Sequence, residues 1–288
     1  MRNFQMKKKI GFIDLHIDEW HANNYPGWIR SRELAKDFEL AYAWEESPNP
    51  QGRPLAEWCK DFGMIPAASI EEVVEKSDAI IVLAPSNPEV HARLAELPLK
   101  SGKPVFVDKP FAPNRAEAEA MFALARQYNT PLMSSSALRY GNGLRAALKD
   151  TFAGKKADFA VTTGGGGNFP EYAIHQLEMI VAALGTGARR VKHTLDGKKL
   201  HMLIGYDDGR YAAASYHGWF SYTAALAHDD VGCMVTDMDQ MFENLLDDVL
   251  EFFNSGVSPI PAEETIEIAA ILGAAVEAMS CPGTWVNL

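Results

Sequence analysis

Two stretches of this sequence carry side chains in an order that could do chemistry. The first is Asp108-Lys109-Pro110, directly after the apolar run Pro104-Val105-Phe106-Val107, which reads as a buried strand. Lys109 then stands just past a strand's carboxyl end, where open α/β sheets bind their ligands. Pro110 fixes its own backbone and holds Lys109 extended, and Phe111 would shield the site. A lysine held near a second cation, or partly desolvated, loses proton affinity and can act as acid or base near neutral pH. The second stretch is Glu171-Tyr172-Ala173-Ile174-His175-Gln176-Leu177-Glu178. On a helix Glu171, His175 and Glu178 share one face. A carboxylate four residues before a histidine can orient the ring and stabilise its charged form, as a general base requires. Taken singly, each stretch has a plainer reading: a loop lysine on the surface, and a histidine near a helix start among solvated carboxylates.

The surrounding pattern supplies the elements that would position them. Short apolar runs read as strands at Ile10 to Ile13, Leu40 to Trp44, Ala79 to Ala84, Pro104 to Val107 and Pro131 to Met133. Helical spacing falls between them at Arg53 to Phe62, Ile70 to Lys76, Pro88 to Leu97 and Arg115 to Tyr128. Strands alternating with helices imply βαβ units and a doubly wound parallel sheet. Beyond about Tyr140 the order changes. A helix is expected over Leu144 to Phe152, a strand over Asp158 to Thr163, the glycine run Gly164 to Gly167, and a helix over Ile174 to Leu184. Strands follow in succession at Val191 to Leu195, Lys199 to Tyr206, Arg210 to His217 and Phe220 to Ala225, with Asp207-Asp208-Gly209 as a hairpin turn. Helices over Met238 to Phe253 and Ala262 to Met279 close the chain. The expected fold is α/β: a nucleotide-binding type domain over 1–138, then an α+β domain over 139–288 with a largely antiparallel open sheet. The last helix could pack back on the first domain.

Composition narrows the partners. A net charge of -11 with no long basic run repels phosphate backbones and anionic membrane surfaces, so neither nucleic acid nor membrane is an expected partner. No apolar run approaches the ~20 residues of a membrane span. Lys7, Lys8 and Lys9 precede only a short apolar stretch that Asp14 ends, too short for a signal peptide. Cys59, Cys233 and Cys281 are scattered and odd in number, which fits a reducing cytoplasm rather than a disulfide framework.

Together the motifs resemble the Gfo/Idh/MocA family of sugar and polyol oxidoreductases. The resemblance rests on Ala84-Pro85-Ser86-Asn87-Pro88-Glu89-Val90-His91, on Gly102 through Pro110, and on the register Glu171, Ala173, His175, Glu178. Asp108 stands where that family has glutamate before the lysine; Glu171 and Ala173 stand where it has aspartate and glycine. Arg139 resembles the family's arginine after the sixth strand, and the ending Pro261 to Leu288 resembles its closing helix. What the resemblance implies is a Rossmann-type first domain and transfer of a hydride from a sugar or polyol hydroxyl to NAD or NADP. Lys109 would position and polarise the hydroxyl, His175 would be the general base and Glu171 its orienter, with Arg139 also binding substrate. The cofactor would lie against Asp14, His16, Glu19, Glu45, Pro85, Ser86, Asn87, His91, Asp108 and Lys109. A homo-oligomer, dimer or tetramer, built through the second-domain sheet is implied as well.

One segment departs from that pattern. The first strand of a dinucleotide-binding unit opens into Gly-x-Gly-x-x-Gly, whose glycines admit the pyrophosphate. Here Asp14, His16 and Glu19 fill all three glycine positions, and Pro26-Gly27 should interrupt the following helix. Acidic side chains would face a dianion and counter the favourable helix N-terminus. Glu45 or Glu46 at the end of the second strand could still bind a ribose, favouring NAD over NADP because carboxylates repel a 2′-phosphate. Three readings stay open: an oxidoreductase that binds the dinucleotide weakly or in a shifted way; a sugar-binding or inactive homologue without it; and a metal-dependent enzyme in which Asp14, His16 and Asp18 converge. Against the last stands simple capping of a helix by Asp14 or Asp18. Tyr216, Trp219, Phe220 and Tyr222 are expected to form a packed sheet face or a subunit interface. His193, His201, His217 and His228 are expected at core or surface positions of the second domain.

Overall fold

The computed structural model describes residues 6–194 and 199–288. The chain divides into two compact units. The first holds the described residues through Phe111, with Ala120–Ser134 and Leu246–Ile260; the second holds Ala112–Glu119, Ser135–Leu245 and Pro261–Leu288.

In the first unit β1 (Lys8–Asp14), β2 (Phe38–Glu45), β3 (Ile65–Pro66), β4 (Ala79–Val82), β5 (Val105–Val107) and β6 (Leu132–Met133) form one sheet in the order β3-β2-β1-β4-β5-β6. Every pairing is parallel. The strand order reverses at β1, so the crevice between the carboxyl ends of β1 and β4 is where such a sheet takes a ligand. The strands are central because they are apolar on both faces: all four residues of β4 and all three of β5 are buried. The connecting helices are α1 (Trp20–Arg30), α2 (Leu55–Phe62), α3 (Ile70–Lys76), α4 (Pro88–Leu99) and α5 (Arg115–Gln127). Their ends follow local chemistry. Ser69 caps α3 by accepting from Glu72 N, and Gly63 ends α2 in the left-handed region at φ 63°.

α1 corrects one expectation. Pro26 and Gly27 do not break it; the helix runs on to Arg30 with Pro26 inside. Tyr25, Pro26 and Ile29 are buried, so packing outweighs the hydrogen bond that proline cannot donate.

The second unit adds α6 (Asn142–Ala146), β7 (Phe159–Gly164), α7 (Phe169–Leu184), β8 (Ala188–His193), β9 (Leu200–Tyr206), β10 (Tyr211–Tyr216), β11 (Thr223–His228), β12 (Val231–Val235), α8 (Met241–Ser255), α9 (Ala262–Ala278) and β13 (Val286–Asn287). From Leu246 onward α8 counts with the first unit. The sheet order is β12-β11-β7-β10-β9-β8-β13, antiparallel except for β7 beside β10. α7 and α9 pack on it, and Leu177, Ile180, Val181, Ile271 and Ala275 lie in the core with Met202, Ile204 and Ala212. The expected α/β plus open-sheet architecture is what forms. Some local readings shift. The expected helix over Leu144 to Phe152 is α6 followed by a wider π turn over Ala147–Thr151. The strand placed at Phe220 starts at Thr223, because Phe220 N closes a turn onto His217 O at 2.8 Å. β12 went unread, since its half-exposed edge carries no alternation. Of the strand read as Val191 to Leu195, Leu195 lies outside the described residues.

Candidate functional site

At the carboxyl ends of the first unit's sheet, three turns are tied together. The turn after β1 begins at Asp14, 1% exposed, whose Oδ1 accepts from Ala84 N at 3.1 Å and His16 N at 3.3 Å. Ala84 sits at φ 68° in the turn after β4. His91, on the following helix, is fully buried, with its ring nitrogens 3.1 Å from Ala84 O and 3.1 Å from Phe111 O. Burial holds this imidazole below its ordinary pKa. It braces the turns after β4 and β5 from behind. Asn87 N closes the first of them onto Ala84 O at 2.9 Å, and Asn87 Nδ2 donates to Glu89 at 3.0 Å.

Lys109 stands where the strand pattern placed it, just past β5, and its peptide to Pro110 is cis. It is 8% exposed, and its Nζ donates to Pro85 O at 3.4 Å. Asp108 is buried, accepting from the Tyr25 hydroxyl at 3.2 Å while His21 Nε2 stands 4.0 Å from its other oxygen. Tyr25, which no sequence motif singled out, thereby links α1 to the lysine turn. Burial first, and then the Asp108 charge, push its phenol well above its ordinary range.

The turn after β1 holds the residues that replace the glycines, and they do not converge. His16 Nδ1 lies 2.8 Å from Ser47 O. Asp18 turns to Arg53, with Nη2 to Oδ1 at 2.9 Å, and accepts from Asn23 Nδ2 at 2.7 Å. The Arg53 hydrogen bonds hold the Asp18 carboxyl well below the usual carboxylate range. Among the described residues no group of three His, Cys, Asp or Glu side chains could hold a metal ion, and the convergence that a metal site requires is absent. The helix cap is neither Asp14 nor Asp18 but Glu19. Its carboxylate accepts from His21 N at 2.8 Å and from Ala22 N, and lies 3.3 Å from His21 Nδ1. Glu45, buried at the end of β2, accepts from Ile17 N at 3.0 Å. Glu46 pairs with Arg93.

In the second unit Glu171, His175 and Glu178 lie on α7 as their spacing predicted, each in a different environment. Glu171 is half-buried, and its carboxylate accepts from Asn168 Nδ2 at 3.0 Å. His175 Nδ1 lies 2.6 Å from the Ser136 hydroxyl, with Tyr222 edge-on to its ring at 5.4 Å between centroids. Glu178 is buried and accepts from Ser136 N at 3.0 Å and from Arg139 Nε at 2.7 Å. Arg139 also donates to Glu264 at 2.6 Å. Its guanidinium is thus held between two carboxylates, and its Nη2 is buried without a hydrogen-bond partner among the described residues. Ser136 and Glu264 escaped the sequence reading: a serine and a distant glutamate carry no spacing signal. The glycine run serves close packing. A Cβ on Gly166, at φ 150°, would stand 2.1 Å from the Tyr172 ring, and one on Gly165 would stand 2.3 Å from His217 O. Of the expected aromatic face, Tyr216 is buried, Tyr222 packs on His175, and Trp219 and Phe220 are 92% and 46% exposed.

Comparison with known proteins gives the fold a lineage. Residues 26–136 match the model of the GFO_IDH_MocA group, an oxidoreductase family with an NAD-binding Rossmann fold. The chain is 30% identical over 88 residues to the uncharacterized oxidoreductase YhhX of Escherichia coli K12, covering 31% of this chain and 26% of that one. It is 32% identical over 74 residues to the dTDP-3,4-didehydro-2,6-dideoxy-alpha-D-glucose 3-reductase of Actinomadura kijaniata, covering 26% of this chain and 22% of that one. The matched segments thus span about a quarter of these curated relatives. The crystal structure of myo-inositol dehydrogenase from Lactobacillus casei in complex with NAD(H) and myo-inositol superposes with a TM-score of 0.81 at 12% identity, over 98% of this chain and 97% of that one. The family match thus lies over the lysine turn, and the likeness to the solved structure extends the shared fold along nearly the whole length of the chain.

Proposed function

We propose that this protein is an NAD(P)-dependent oxidoreductase acting on a hydroxyl of a sugar, polyol or related small molecule. The observation that carries the proposal is Asp108-Lys109-Pro110 at the carboxyl end of β5, inside the segment that matches the family model. The relatives support the substrate class: one is named as a reductase of a nucleotide-linked sugar, and one was crystallised with NAD(H) and myo-inositol. They favour this reading over a non-redox homologue, and the divergent partners of Asp14, His16 and Asp18 leave the metal reading without a site.

In this reading Lys109 holds a substrate hydroxyl and polarises it, and His175 receives the hydroxyl proton. Nε2 of His175 is the accepting atom when Nδ1–H donates to Ser136 Oγ. Glu171 shares the α7 face with His175 and takes part in orienting it. Arg139 acts on substrate binding through the turn it fixes to Glu178. Pro85, Ser86 and Asn87 border the dinucleotide, and Glu45 favours NAD by repelling a 2′-phosphate. The division of labour falls near residue 138, with the dinucleotide on 1–138 and substrate on 139–288. A cytoplasmic location fits three free cysteines, and a dimer or tetramer fits the exposed Trp219, Phe220 and Met234 around the second sheet; light scattering that returns a monomer mass would remove the oligomer.

The turn after β1, as it stands, does not fit the pyrophosphate of a dinucleotide. Glu19 already occupies the α1 N-terminus, and Asp14 and His16 carry side chains where backbone would have to approach phosphate. Dinucleotide binding is accordingly weak. The test is reduction of NAD and NADP by a panel of sugars and polyols, run beside titration of NADH and NADPH fluorescence. Turnover of one substrate class with either dinucleotide is the expected result. The absence of both turnover and binding at millimolar cofactor would remove the proposal.

A further inference from the structure

The Glu19 carboxylate occupies the place where the first helix of a dinucleotide-binding sheet receives phosphate. It accepts from the backbone N–H groups of His21 and Ala22 in the first turn of α1. Unpaired N–H groups and the helix dipole make such a terminus an anion site. Here the chain supplies the anion itself. The capping side chain is 18% exposed, and the Glu19 backbone is ordinary extended chain at φ -133° and ψ 174°. Its partner His21 lies between two acids, with Nδ1 3.3 Å from Glu19 and Nε2 4.0 Å from Asp108.

A second observation marks the same end of the sheet as incomplete. Asp14 is 1% exposed, and its Oδ2 has no hydrogen-bond partner among the described residues. Burial and the nearby Glu19 charge both push its carboxyl well above the usual range. The Glu19 charge is therefore felt at the end of β1 as well as at the start of α1.

We propose that Glu19 is a built-in competitor for the pyrophosphate, a latch that must swing off the α1 N-terminus before a dinucleotide can be seated there. The inference rests on the dinucleotide-dependent reading above and adds the residue that sets its affinity. Displacing the latch frees the N–H groups of His21 and Ala22 for a phosphate oxygen and leaves His21 beside it as a further donor. Until then the carboxylate both fills the space and repels the ligand's charge.

The test is NADH affinity by fluorescence titration of the full chain in wild type, Glu19→Gln and Glu19→Ser. Glutamine keeps the shape and removes the charge. Serine is a good helix cap that removes both charge and bulk, so it guards against a loss of fold, which circular dichroism checks. Both variants are expected to bind NADH about tenfold or more tightly, on the scale of one charge at a helix end plus the repulsion it relieves. Binding seen only in the variants supports the latch equally. Measurable wild-type binding that is unchanged or weakened in both variants would overturn the latch and leave the oxidoreductase reading standing. No binding by any of the three chains would overturn both.

Discussion

The Ser136 hydroxyl lies 2.6 Å from Nδ1 of His175. The same oxygen accepts from Leu138 N at 3.3 Å, in the turn that Glu178 fixes by accepting from Ser136 N. The imidazole is thus oriented by a hydroxyl whose own place is set by backbone. A general base needs its ring held in one tautomer. Ser136→Ala is therefore expected to lower kcat by roughly tenfold while leaving KM close to wild type, and Ser136→Thr to restore much of the loss. His175→Ala is expected to cost about a hundredfold or more. Equal kcat in Ser136→Ala and wild type would show that the serine only packs.

Among the described residues the Lys109 ammonium makes one long hydrogen bond, to Pro85 O at 3.4 Å, so the fold depends little on it. Its removal should be read in catalysis. Lys109→Ala is expected to reduce kcat/KM about a hundredfold or more with an unchanged melting temperature, a loss of about 2.7 kcal/mol in transition-state binding. Near-normal turnover would take Lys109 out of the mechanism.

Arg139, Glu178 and Glu264 predict the opposite pattern. The side chains are 12%, 5% and 11% exposed, so deleting the arginine takes the paired cation from a buried Glu178 and leaves Glu264 the Lys156 ammonium at 3.5 Å. Removing one partner of a buried ion pair costs about 3–5 kcal/mol. Arg139→Met should therefore lower stability by that order in urea unfolding. An unfolding midpoint within error of wild type would show that the carboxylates are better hydrated than their burial indicates.

How much of this was legible beforehand follows from the kind of signal each feature carries. The sheet of the first unit was readable because β4 and β5 are apolar on both faces and end abruptly. Lys109 was readable because a strand end and a proline fix its place. His175 was readable because α7 has helical spacing around it. The partners were not. Ser136 meets His175 across 39 residues and Arg139 meets Glu264 across 125, and side-chain pairs at such separations have no local period. Glu19 was visible as an acid at a glycine position. That its carboxylate folds back to cap its own helix depends on backbone geometry beyond the reach of spacing. Pro26 misled because local propensity marks a break that tertiary packing overrides.

Asp14 gives a prediction that needs no substrate. Burial, then the Glu19 charge, raise its carboxyl well above the ordinary value of 3.8. A raised carboxyl binds its proton more tightly in the folded chain than in the unfolded one. Its contribution to stability is therefore fully present below 3.8 and is lost as pH rises through the folded value. Asp14→Asn fixes an uncharged side chain of the same shape, which can still accept from Ala84 N and His16 N through its remaining oxygen. The melting temperature of the variant relative to wild type should rise steadily as pH is taken from acid toward neutral. Glu19→Gln should flatten that slope when it is the background, because it removes the second cause of the Asp14 shift. A difference between Asp14→Asn and wild type that stays constant across this range would show that Asp14 is charged in the folded protein, with its unpartnered Oδ2 reached by solvent.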